Sequence, residues 1–219
     1  MNDYIDIYCE RLSPGLLAEP LNAITNLSFI IAAIAAYLYA KKSNQTSWQS
    51  LSLIALLFII GIGSALFHTF ATFWAMLSDT LPILFYQIAF ILLYSRFIMN
   101  KSPLITALIF LAFIATIFGF AQLPSQWLNG SLQYAPAFIF LCALGLWHAF
   151  NIEKEKFTLI AAAFIFLISL SFRSIDMQIC PQIPIGTHFL WHCFNGLLLY
   201  LTTRSYITAS IIARHNKSS

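Results

Sequence analysis

The chain has 219 residues, 60% of them hydrophobic and only 9% charged, with a net charge of +3. Soluble domains carry about a quarter charged residues, so this composition cannot coat a water-soluble globule, and the mean hydropathy of +0.81 points the same way. No basic stripe or RNA-binding motif accompanies the small positive charge, which excludes a nucleic-acid binder and leaves an integral, multi-pass membrane protein.

Apolar runs of about 20 residues, the length a bilayer core requires of a helix, recur along nearly the whole chain. They predict seven spans, at 20–40, 50–70, 76–97, 103–122, 131–150, 157–173 and 187–208, forming one all-α bundle over 1–219. Polar, Pro and Gly clusters separate them: Lys41-Lys42-Ser43-Asn44-Gln45, Thr72-Phe73-Trp74, Asn100-Lys101-Ser102-Pro103, Leu123-Pro124-Ser125-Gln126, Glu153-Lys154-Glu155-Lys156, and the stretch from Ser174 to Gly186. The first 19 residues are too polar for a cleavable signal peptide, and no internal repeat is visible.

Charge sets an expected orientation. Lys41, Lys42, Arg96, Lys101, Lys154, Lys156, Arg204, Arg214 and Lys217 fall on one side of this arrangement, against Arg11 and Arg173 on the other. The positive-inside rule then places the C-terminus in the cytoplasm and the N-terminus outside. In a bacterial host the membrane would be the inner one.

Ionisable groups at membrane depth are costly, so each is a functional candidate. His68 ends the second span, Asp79 begins the third, and His188 and His192 begin the seventh. All four are expected at one level, although they are far apart in sequence. His188 and His192 are four residues apart and share a helical face, as do Ser64 and His68. Three neutral imidazoles with an open fourth position describe a catalytic zinc site, although iron, copper and nickel also accept nitrogen ligands. Asp79 is then the candidate base that takes a proton from water and returns it to a leaving group. A single intramembrane His can instead be a helix–helix hydrogen-bonding residue, and Gly61, Gly63 and Ser64 can simply permit close packing.

The remaining polar residues read more plainly. His148 and His215 lie at the opposite end and are expected to be interfacial or solvated. Cys142 and Cys193 fall inside spans and are expected to be small buried hydrophobes. Asp6, Glu10, Glu19 and Asn22 crowd the N-terminal segment, either as oxygen ligands for calcium or as a solvated lead-in favouring the first helix's dipole. Cys9 and Cys180 fall in the two outer segments, where a disulfide or two unrelated thiols are both compatible with the sequence.

Four fragments, in order, resemble the alkaline ceramidase family, within the superfamily of seven-helix membrane hydrolases that includes the adiponectin receptors. They are Tyr8-Cys9-Glu10-Arg11 with Glu19-Pro20-Leu21-Asn22 and Asn26, Gly63-Ser64-Ala65-Leu66-Phe67-His68-Thr69, Ser78-Asp79-Thr80-Leu81-Pro82-Ile83, and Thr187-His188-Phe189-Leu190-Trp191-His192 with Asn195. The compact bacterial members are the most similar in build. The resemblance implies zinc on His68, His188 and His192, Asp79 as the residue that orients and deprotonates water, and Ser64 as an assistant at the oxyanion. It also implies a Cys9–Cys180 disulfide. The family's calcium site carries over less well: Glu10 and Glu19 match, Asp6 needs a one-residue shift, and Leu12 or Ser13 stands where an Asn is expected.

The resulting expectation is a zinc-dependent amidase acting on a ceramide-like membrane lipid to give a fatty acid and a sphingoid base. A zinc hydrolase of another membrane lipid ranks second. A sensor-like seven-helix protein with little turnover and a haem or metal carrier rank behind, the carrier leaving Asp79 unexplained.

Overall fold

A computed structural model of the chain describes residues 4–218, with side chains through residue 212. Among the described residues the fold is entirely helical: α1 (Pro20–Thr25), α2 (Leu27–Lys42), α3 (Trp48–Phe70), α4 (Phe73–Leu93), α5 (Pro103–Phe120), α6 (Ala135–Asn151), α7 (Thr158–Ile179) and α8 (His188–Ser218). A π-helical turn, Tyr94–Ile98, extends α4, and a 3₁₀ segment, Trp127–Tyr134, leads into α6. Six helical segments are long and apolar enough to cross a membrane, α1 and α2 counting as one. The seventh expected span falls in α8, the longest helix at 31 residues.

Local chemistry fixes several helix starts. Ser47 and Ser102 accept hydrogen bonds from Ser50 N and Ile105 N, capping α3 and α5, and Pro103 occupies the first turn of α5. Pro20 likewise opens α1, where the Glu10 carboxylate takes the Leu21 and Asn22 amides at 2.6 and 2.8 Å. Consecutive long helices pack on one another and α8 closes the ring against α2. The apolar interior is built from Leu53, Leu57, Ile60, Phe90, Leu159 and Phe166, among others, while α5 turns Leu104, Leu108, Leu111 and Phe118 outward. An apolar exterior around fully hydrogen-bonded helices is what a lipid solvent demands.

Four expectations are corrected. The sixth span does not end at Arg173: α7 runs to Ile179 and carries Arg173 and Asp176 inside the fold. Both charges find partners there, Arg173 through its Nη1 on the Asn129 carbonyl and the Ser131 hydroxyl, Asp176 on three backbone amides, so neither acts as a helix-ending solvent signal. His148 is not solvated but fully buried. Its Nε2–H donates to the Glu155 carbonyl at 3.3 Å and its Nδ1 accepts from the Tyr94 hydroxyl. Cys193 is exposed, and Cys142 is only half-buried although it packs against the core. His215 lies outside the described side chains.

Candidate metal centre and its surroundings

Two close approaches bring the site together. Gly63 of α3 lies against α4, so that a Cβ there would collide with the Ser78 carbonyl oxygen. The two backbones therefore touch beside Ser64 and Asp79, and Asp79 takes a hydrogen bond from Ser64. At the other junction Gly186, with φ of 64°, turns the chain into α8 in a space that a Cβ would share with Asp176 and Cys9. The Cys9–Cys180 disulfide ties the N-terminal segment to this turn.

Asp176 holds the turn by charge-assisted hydrogen bonds. Its Oδ1 accepts from Thr187 N and His188 N at 2.7 and 2.9 Å, and its Oδ2 from Cys9 N at 3.0 Å. The carboxylate is only 1% exposed. Asp176→Ala is expected to lower the stability of the solubilised protein by at least about 2 kcal/mol, since it strands buried amides. Thermal unfolding in detergent checks this, and a midpoint within one degree of wild type would refute it.

His68, His188 and His192 converge at this end of the bundle. Their ligating nitrogens lie within 4.8 Å of one another, and their ring centroids are 4.7 to 5.2 Å apart. All three are at most 2% exposed. His68 sits in the last turn of α3, which ends at Ala71 in a left-handed conformation, φ 48°. Its Nδ1–H donates to Glu19 Oε2 at 2.5 Å, leaving Nε2 buried without a hydrogen-bond partner. The Nδ1–H of His192 donates to Thr25 Oγ1 at 3.0 Å, which leaves its Nε2 free as well. His188 has a buried, unpartnered Nδ1, and its ring stacks on Tyr8 at 3.7 Å. Orphaned nitrogens of neighbouring imidazoles, with the opposite nitrogen of two rings already held by an acceptor, are what a metal-binding triad requires. These residues fit a zinc ion.

Around the triad lies a buried polar shell. Glu19, 2% exposed, bridges His68, the Arg11 guanidinium and Asn22 Nδ2. Burial alone would raise its carboxyl, but the hydrogen bonds from His68, Arg11 and Asn22 outweigh that and hold it below its ordinary value. Arg11 also donates to the His68 carbonyl at 2.8 Å. Arg173 lies near Asp79, its guanidinium 5.2 Å from the Tyr134 ring centre and 5.8 Å from that of Trp191. It anchors a run of left-handed residues, Leu128, Asn129 and Gly130, by donating to the Asn129 carbonyl at 2.6 Å.

The residues singled out from sequence fall into distinct places. The three histidines, Asp79 and Ser64 are together. Cys9 and Cys180 are bonded. Glu10 caps α1 and Glu19 faces His68 and Arg11, so both carboxylates are satisfied by protein donors. The carboxyl of exposed Asp6 is pushed up by partial desolvation and by its neighbour Glu19. Among the described residues the histidine triad is the one group of His, Cys, Asp and Glu close enough to share an ion. Sequence reasoning missed Thr25 as a partner of His192 and Asp176 as the support of His188. A helical Arg173-x-x-Asp176 pair beside an apolar run was a usable signal, because charges in such a place need buried partners.

Below the triad lies a cavity of about 80 Å³, lined by Phe29, Ile60, Ile83, Phe140, Leu144 and Trp191 with their neighbours.

The family model for Ceramidase matches residues 8–219. A search of curated proteins finds no match.

Proposed function

We propose that this chain, which belongs to the ceramidase family, is a zinc-dependent intramembrane amidase that cleaves the N-acyl bond of a ceramide-like lipid. The observation that carries the reading is the buried histidine triad with orphaned ring nitrogens, set beside Asp79 and above an apolar cavity. His68, His188 and His192 would hold the ion, and zinc bound there supplies a Lewis acid and lowers the pKa of water to about 7.

The protein's own groups account for the rest. The apolar cavity takes a hydrocarbon chain and excludes water from all but the reacting end. Asp79 accepts a proton from water as its oxygen bonds to the amide carbon, then passes that proton to the nitrogen as the C–N bond breaks. A carboxylic acid and a free amine result. Ser64 donates its hydroxyl proton to the Asp79 carboxylate; once Asp79 carries the proton from water, that hydroxyl is released to donate to the developing oxyanion instead. Glu19 and Thr25 fix the ring orientation of His68 and His192.

Purified full-length protein in detergent should carry one zinc ion per chain and release sphingoid base from ceramide, and His192→Ala should lose both. Zinc without cleavage of ceramide would move the substrate to another membrane lipid. Absence of any bound metal would remove the reading altogether.

A further inference from the structure

The cavity wall carries a polar side chain that the amide chemistry leaves unused. That wall is largely apolar, but it includes Gln87 of α4. Of the other polar side chains there, Tyr86 and Asn195 are held by the bundle itself. The Tyr86 hydroxyl is bonded to Thr202 and Thr203 at 2.7 and 2.8 Å. The Asn195 amide donates to Ser169 Oγ and to the Trp191 carbonyl. Gln87 is half-buried, and among the described residues its amide has no hydrogen-bond partner. An unpaired amide within an apolar intramembrane cavity carries a desolvation penalty that a bound ligand group can relieve.

Depth decides which part of a ligand it meets. Gln87 follows Asp79 by two helical turns on the same helix, which at 1.5 Å per residue is about 12 Å further from the reacting end. An extended chain advances about 1.2 Å per bond, so Gln87 lies beside roughly the tenth bond from the carbonyl. No charged residue lines the cavity, which disfavours an ionic group at that depth. A hydroxyl both donates and accepts, as the amide does, and so can pair with either end of it.

We propose that Gln87 reads a hydroxyl carried mid-chain on the lipid, making the enzyme selective for hydroxylated N-acyl lipids. This rests on the amidase reading for its kinetic test, and a binding test separates the two. The full-length chain in detergent is given N-acyl sphingoid lipids matched in length, one saturated, one with a mid-chain hydroxyl and one with a mid-chain cis double bond. Wild type should favour the hydroxylated lipid about five- to tenfold in kcat/KM, mainly through KM, which is what one net hydrogen bond supplies. Gln87→Leu should abolish or invert that preference, and Gln87→Met, unbranched and of similar length, should do the same if the leucine variant folds poorly. Thermal stabilisation by the corresponding free fatty acids gives the binding arm and needs no turnover. If no lipid is cleaved but the hydroxylated acid still stabilises wild type more than Gln87→Leu, the amidase reading fails and the Gln87 inference stands. Equal preference for the hydroxyl and the double bond would show that chain shape is read instead and would overturn it. So would a preference that survives in both variants, or fatty acids that fail to discriminate in wild type.

Discussion

Replacing Asp79 with Asn is expected to lower kcat for amide cleavage by about 10²–10⁴-fold while leaving the zinc content unchanged. That range is what a positioned general acid–base contributes. Asn keeps the size of the side chain and can still accept from Ser64, so the close packing of α3 on α4 at Gly63 is preserved. It cannot take a proton from water or return one to the departing nitrogen. Because Asp79 is outside the histidine triad, the two readouts separate. Metal content by atomic spectroscopy and initial rates on ceramide decide the matter. An Asp79→Asn protein that turns over within tenfold of wild type would assign the proton transfer elsewhere. One that loses its zinc would make Asp79 part of the metal sphere.

Glu19→Ala is expected to cost about 3–5 kcal/mol of stability, because it leaves the Arg11 charge buried and unpaired. It should also weaken zinc binding about 10- to 100-fold, the usual consequence of removing a group that orients a ligating imidazole. Both effects trace to one carboxylate, whose two oxygens are shared between Arg11, His68 and Asn22. Glu19→Gln gives an internal comparison. Its amide oxygen can still accept from His68, but the charge opposite Arg11 is gone, so the metal affinity should recover more than the stability. Chelator competition measures the first quantity and thermal unfolding of the apo and zinc-loaded protein the second. If both variants bind zinc like wild type, Glu19 has only a structural role at Arg11.

Legibility in the sequence followed the range of the interaction that fixed each feature. Helix positions were readable because hydrophobic length is a local property: the run at 50–70 became Trp48–Phe70, and that at 103–122 became Pro103–Phe120. The end of α7 was not, because Arg173 and Asp176 look like solvent-facing charges until their partners are known. Those partners, Asn129, Ser131, Cys9, Thr187 and His188, come from the 3₁₀ segment before α6, the entry to α8 and the N-terminal segment. The burial of His148 was hidden in the same way, since nothing near it in sequence announces Tyr94. The exposure of Cys193 follows from how α8 is rotated in the ring, which span length does not specify.

By itself the sequence determined a helical membrane bundle, and it named the histidines, Asp79 and Ser64 as one candidate site. Costly polar residues in apolar spans stand out one by one, and their spacing on a helix is a matter of geometry. Tertiary structure alone decided how they are supported. It turned Glu10 and Glu19 toward an amide cap and a histidine, set Thr25 behind the His192 imidazole and Asp176 on the His188 backbone amide, and left Gln87 facing the cavity without a partner. Each of those arrangements is a contact between residues distant in the chain, and only the packed bundle sets the distances over which hydrogen bonds act.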